Sequence, residues 1–324
     1  MRYVEFLSEA KSNPHLHGGK GSNLINLMNY RINVPPGFIL NTNAYVKFLK
    51  NSTFKEEIFH TLSNDYESED VLNLSTKIER LFMNSEIPYE IVNEIKKAFK
   101  EIRKELGKEV SFSVRSSANI EDSNNFSFAG QAESYLNITN FSEILKSIKK
   151  CWISLFSPKA LLYIWQLRKN NKLISLNNIQ MAVIIQKMIY SQISGVLFTI
   201  NVMNHAINEM LINSTWGLGE ALTNSSVIPD LIILSKEKFS IIKYIIGEKE
   251  KTSIPNPEGN STILIPTKQP LKEQHSLNKT ELVKLYNLGL KLEKLFSYPQ
   301  DIEWAIENDV IYTLQSRPIT TLRK

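Results

Sequence analysis

Apolar residues recur along this chain with two periods, and the alternation between them outlines its elements. From about Asp70 to Leu106, the residues Leu81, Phe82, Ile91, Ile95, Phe99, Ile102 and Leu106 follow the helical period. Pro88 divides that stretch into two helices, because proline breaks a helix interior. Further helices are predicted after an Asn41 or Thr42 cap through Leu49, from Phe141 to Phe156, from Ser157 to Asn170 with Pro158 in the first turn, and from Lys279 to Phe296. Strands are predicted at Phe38 to Leu40, Val110 to Val114, Glu133 to Ile138, Gln180 to Met188, Gly195 to Ile200, Leu231 to Leu234 and Phe239 to Ile246. Trp216-Gly217-Leu218-Gly219-Glu220 reads as a glycine-hinged loop, and residues 251–276, rich in Pro, Ser and Thr, as a surface traverse.

The last two alternating runs, Asp301 to Ile306 and Val310 to Leu314 continuing to Pro318, predict a hairpin turning near Asn308-Asp309. Period-two geometry puts Asp301 and Glu303 on one face of the first strand, and Gln315 and Arg317 on one face of the second. The turn decides whether the two pairs meet. A two-residue loop pairs Glu303 with Leu314 and separates them, whereas a three-residue loop pairs Glu303 with Gln315 and Asp301 with Arg317. In the second register, oxygen donors suited to Mg²⁺ lie beside a guanidinium suited to phosphate. In the first, the hairpin is an edge with solvated polar residues.

Composition narrows the class. The chain has 324 residues, 42% hydrophobic and 22% charged, enough for one large or two medium globular domains. Its net charge of +5 comes from basic residues interleaved with Glu, as at Lys96 to Lys104, and no basic stripe with aromatics is present. No nucleic-acid partner is expected. The single cysteine, Cys151, forms no internal disulfide and reads as a buried thiol. Apolar runs are too short to span a membrane and Met1 to Ser12 lacks a signal-peptide core, so no membrane association and a cytoplasmic location are expected.

Two further stretches carry anion-binding chemistry. Gly18-Gly19-Lys20-Gly21 precedes Ser22, a possible N-cap, so backbone amides, a helix N-terminus and an ammonium can converge on phosphate. A flexible turn with a solvated lysine fits the same residues. Arg115 follows Val110, Phe112 and Val114 where a strand gives way to Ser116-Ser117-Ala118, a position from which it can grip an anion. The small-residue loop Ser127-Phe128-Ala129-Gly130-Gln131 can bring backbone amides close to phosphates.

In their order, these pieces resemble the ATP-binding domain of the pyruvate phosphate dikinase and phosphoenolpyruvate synthase family, which also includes rifampicin phosphotransferases. The match extends through Val34-Pro35-Pro36-Gly37-Phe38, Glu121-Asp122-Ser123, Gly195-Val196-Leu197-Phe198-Thr199, Gly217-Leu218-Gly219-Glu220, Pro229-Asp230, Gln300 to Trp304 and Leu314 to Pro318. The resemblance implies an α+β, ATP-grasp-like fold whose halves, residues 1–187 and 188–324, clamp ATP between them. It implies that Lys20 and Arg115 contact the phosphates, that Glu303 and Gln315 hold Mg²⁺, and that Arg317 contacts the transferred phosphate. Gln186, Lys187 and Met188 look like the hinge that meets adenine, and Ser127, Gly130 and Gln131 belong to the loop covering the phosphates.

Departures from the family pattern fall elsewhere: Ser225 where glycine is usual, Asn201-Val202 after Phe198-Thr199, Lys159, and Tyr163-Ile164. None of the five histidines sits in the family's phosphohistidine setting, and all read as surface residues, with His17 notable for adjoining the glycine turn. The implied activity is transfer of phosphate from Mg-ATP to a histidine on a partner chain or directly to a small molecule. A non-catalytic nucleotide-binding module and an ATP-grasp ligase activating a carboxylate are the alternatives.

Overall fold

The computed structural model describes residues 2–63, 68–119, 134–169 and 179–320. The chain divides into two compact units, one formed by Met1–Asn26 and Pro36–Met188, the other by Leu27–Pro35 and Ile189–Lys324. This division differs from residues 1–187 and 188–324 at Met188, which lies with the first unit, and at 27–35, which lie with the second. There the Asn33 carbonyl accepts the Thr313 amide at 2.7 Å.

In the first unit, β1 (Val4–Phe6), α1 (Pro14–Asn29, whose last three residues belong to the second unit), β2 (Gly37–Leu40), α2 (Thr42–Asn51), α3 (Lys55–Ser63), α4 (Val71–Asn84) and α5 (Tyr89–Leu106) precede β3 (Phe112–Ala118). Then come β4 (Ser134–Ile138), α6 (Phe141–Ile153), α7 (Pro158–Lys169) and β5 (Met181–Lys187). The strands form one antiparallel sheet in the order β1-β2-β5-β3-β4. Phe38, Leu40, Phe112, Val114, Val183 and Ile185 alternate toward the helices and build the core with them. Among the helices, Phe48 packs at a tilt against Trp152, with ring centroids 4.8 Å apart, and against Phe82 at 5.3 Å. The other face of the sheet carries Arg115 and Gln186.

The second unit contains β6 (Ile193–Phe198), β7 (Glu209–Trp216), α8 (Glu220–Thr223), β8 (Asp230–Ser235), β9 (Ser240–Ile245), β10 (Lys251–Pro255) and β11 (Thr262–Pro266). It ends with α9 (Gln269–Lys272), α10 (Lys279–Phe296), β12 (Gln300–Glu307) and β13 (Val310–Pro318). Its main sheet is antiparallel, in the order β13-β12-β6-β7-β8-β9. β10 and β11 pair as a separate hairpin where a surface traverse is expected. α10 starts with a capping box between Asn278 and Glu281. It covers one sheet face closely: a Cβ on its Gly289 would lie 3.0 Å from Leu197 and 3.2 Å from Met210. Among the described residues, no helix is long and apolar enough to cross a membrane.

A buried ion pair pins the segments around this sheet. Lys249 Nζ contacts Asp230 Oδ1, and both side chains are fully buried. The Asp230 carboxylate also accepts the Gly247 amide at 2.8 Å, the Ser276 amide at 2.8 Å and the Ser276 hydroxyl at 2.7 Å. One carboxylate thus ties β8 to the segments before β10 and α10. Removing the lysine leaves an uncompensated buried charge, so Lys249→Ala is expected to destabilise the second unit by about 3–5 kcal/mol. Urea denaturation followed by circular dichroism checks this. Phe82→Ala, which empties the aromatic cluster, is expected to cost the first unit about 3–5 kcal/mol in the same measurement.

Candidate functional site

The hairpin of β12 and β13 has a two-residue turn, with Asn308 at φ 51° and Asp309 at φ 63°. Two positive φ values define the hairpin turn whose twist matches the strands, and Asn and Asp tolerate that region. The expectation that an odd loop length brings the polar pairs together is corrected. The turn sets Glu307 opposite Val310 and Trp304 opposite Thr313, and a β-bulge at Leu314 then shifts the register by one. Beyond the bulge, Glu303 lies opposite Gln315 and Asp301 opposite Arg317.

Directly opposed residues project to the same face. Arg317 Nε donates to Asp301 Oδ2 at 2.8 Å, as that arrangement requires. Neighbouring strands extend the strip: Phe198 lies opposite Asp301, Val196 opposite Glu303, and Asn213 opposite Val196. Val196, Phe198, Asn213, Asp301 and Glu303 are half-buried, whereas Leu197, Ile302 and Trp304 on the reverse face are buried. Burial raises the Asp301 carboxyl pKa; Arg317 opposes the shift and neighbouring Glu303 adds to it.

Among the described residues, no group of three or more His, Cys, Asp or Glu side chains is placed to hold a metal ion. The hairpin offers the carboxylate of Glu303 and the amide oxygen of Gln315. That donor set fits Mg²⁺, which takes few protein oxygens and fills its octahedron with water and phosphate.

In the first unit, the glycine segment is part of a helix. α1 begins at Pro14 and is broken at Gly18, where φ is 69° and ψ 177°. Ser22 lies inside the helix and buried, so the expectation that it caps the N-terminus is corrected. The break lets the helix sit against β3. Ser117 Oγ accepts the Gly21 amide at 3.0 Å and donates to the His17 carbonyl at 2.8 Å, bridging the kink. Lys20 follows the break, and its Nζ donates to the Ser116 carbonyl at 3.4 Å.

Arg115 lies in the middle of β3 rather than at its end, half-exposed, because pairing with β5 continues to Ala118. Gln186 lies opposite both Ser113 and Gly37, which puts it on the Arg115 face, buried. Lys187 lies opposite Phe112, on the reverse face. Met188 is buried just past the strand, with its amide donating to the Ser111 carbonyl at 2.9 Å. Ser127, Gly130 and Gln131 lie outside the described residues.

The expectation of a surface histidine at 17 is also corrected. His17 is buried and its Nε2 lies 3.2 Å from Glu5 Oε1, which also accepts Asn41 Nδ2 at 3.1 Å. A carboxylate only accepts, so Nε2 carries the proton. The structural parts played by Ser117 and Glu5 were not anticipated; the sequence signal for Ser117 is a small polar residue set against a glycine-rich helix.

A Cβ at Gly18 would lie 2.2 Å from the Ser117 carbonyl oxygen, whereas one at Gly107, φ 102° and ψ 157°, meets nothing within 4 Å. Gly107→Ala is therefore expected to cost about 1–3 kcal/mol from backbone strain alone. Gly18→Ala is expected to cost more, since the contact adds to the strain, and paired urea melts compare the two.

A family profile described as the pyruvate phosphate dikinase AMP/ATP-binding domain matches residues 15–324. A probable phosphoenolpyruvate synthase of Methanocaldococcus jannaschii is 34% identical over 328 residues, covering 100% of this chain and 27% of that protein. The phosphoenolpyruvate synthase of Pyrococcus furiosus is 33% identical over 366 residues, covering 100% and 44%. A rifampicin phosphotransferase of Bacillus cereus is 34% identical over 324 residues, covering 98% and 36%. The chain thus spans less than half the length of these relatives. With nearly all of its length matched, the chain belongs to the pyruvate phosphate dikinase AMP/ATP-binding domain family.

Proposed function

We propose that this chain is an ATP-grasp-like phosphotransferase component that takes up Mg-ATP and passes a phosphate from it to a histidine on a partner chain or to a small acceptor. The observation that carries the reading is the hairpin register: Glu303 opposite Gln315, with Arg317 beside them on the same face. Binding alone seldom needs a metal-type oxygen pair and an arginine at one place, whereas stabilising charge on a phosphoryl group in transfer does.

In this reading Glu303 and Gln315 present oxygens to Mg²⁺, which when bound screens the phosphate charge. Arg317 meets the transferred phosphate through its planar fork of donors. Lys20, after the helix break, and Arg115, at mid-strand, supply further positive charge to the phosphates. Gln186, Lys187 and Met188 are assigned to the adenine side, with Gln186 the member on the Arg115 face. Ser127, Gly130 and Gln131 are assigned to the phosphate-covering loop. The names of the relatives support ATP-dependent phosphotransfer as the reaction class.

The product identifies the reaction. Incubation with Mg-ATP and a protein carrying a phosphohistidine domain is expected to yield AMP as the α–β bond breaks and the histidine takes the β-phosphoryl group, with water cleaving the β–γ bond to release phosphate. ADP formation with a small acceptor alone would favour a direct kinase, and tight ATP binding without any transfer would favour a regulatory module. Arg317→Ala is expected to weaken ATP binding, leave AMP binding unchanged, and lower transfer by roughly 10²–10³-fold, as loss of one preorganised charge-stabilising donor does. Glu303→Ala is expected to raise the Mg²⁺ concentration needed for half-maximal ATP binding, read by calorimetric titration at several Mg²⁺ concentrations.

A further inference from the structure

We infer that Asp301 is a positioning residue for Arg317: it anchors the base of the guanidinium so that the cation meets phosphate in one orientation. The inference rests on the phosphate role assigned to Arg317 above. The two residues are directly opposed across β12 and β13, and the contact is made at Nε, at the stem end of the fork. Their exposures differ in the sense a tether requires. The Asp301 side chain is 12% exposed and the Arg317 side chain 50% exposed, so a largely covered carboxylate holds the base of an arm that reaches solvent.

Asp301 also lies two residues before Glu303 on the same strand face. Two carboxylates there repel each other, and burial makes the Asp301 charge costly. A surface ion pair formed for stability alone gains little and has no need of such a place. An arginine held at one end loses less conformational freedom on meeting a ligand, so its donors are spent on the ligand rather than on their own ordering.

Calorimetric binding of Mg-ATP and of AMP to the wild type, Asp301→Ala, Arg317→Ala and the double variant tests this as a thermodynamic cycle. Asp301→Ala is expected to weaken Mg-ATP binding about tenfold, leave AMP binding within twofold, and add nothing further once Arg317 is already alanine. Asp301→Asn, which keeps an acceptor oxygen in the same shape, is expected to restore part of the loss and guards against misfolding of the alanine variant.

Equal losses from Asp301→Ala in both backgrounds would overturn the inference, as would an increased Mg²⁺ requirement for that variant, which would make Asp301 a metal ligand. ATP affinity unchanged in Asp301→Ala but reduced in Arg317→Ala would leave the phosphate role standing and overturn the positioning role alone. ATP affinity unchanged in Arg317→Ala would overturn the underlying assignment itself.

Discussion

Because side chains alternate along a strand, one residue more or less between two paired positions turns every later side chain to the opposite face of the sheet. In this chain that residue is Leu314. The Asn308-Asp309 turn alone would set Glu303 against Leu314 and point Gln315 at the face packed by α10. The bulge at Leu314 reverses this, placing Gln315 and Arg317 with Glu303 and Asp301. The bulge is therefore a condition for the polar face to exist, and the identity of the turn is not enough to establish it.

The first unit uses a comparable device in a helix. Gly18 interrupts α1, and Ser117 closes the gap by bonding to both sides of the break. A lysine two residues past a kink takes its direction from that kink, so the position of Lys20 depends on a hydroxyl in β3. In both units, a local irregularity within a regular element sets the direction of a charged side chain, while the large apolar faces beneath are conventional. The buried Asp230–Lys249 pair serves a different end, since it fastens loops to the second sheet and lies on the side away from the hairpin's polar strip.

Elements with strong period were legible. α10 occupies Lys279–Phe296 as the apolar spacing indicates, and Pro88 separates α4 from α5. β7 is central in its sheet yet carries no period-two signal, because Met210, Leu211 and Ile212 are all buried and leave no alternation to detect. The β10–β11 hairpin was hidden by its Pro and Ser content. At the candidate site, motif order proposes the residues, while two facts that place them on the fold were out of reach. A bulge leaves no length signature in a hairpin whose turn can be read two ways, and a helix broken at one glycine looks like a turn followed by a cap. His17 shows the reverse limit: only the packing of Glu5 and Asn41 explains why a histidine beside a glycine turn is buried.

We propose that the bulged hairpin supplies the metal and phosphate wall of a nucleotide site. A crystal structure of this chain with Mg²⁺ and a non-hydrolysable ATP analogue tests it most directly. The account predicts a metal ion about 2.0–2.1 Å from oxygens of Glu303 and Gln315, the usual Mg²⁺ distance, with Arg317 on a phosphate. A nucleotide bound with its phosphates and metal away from β12 and β13 would contradict it.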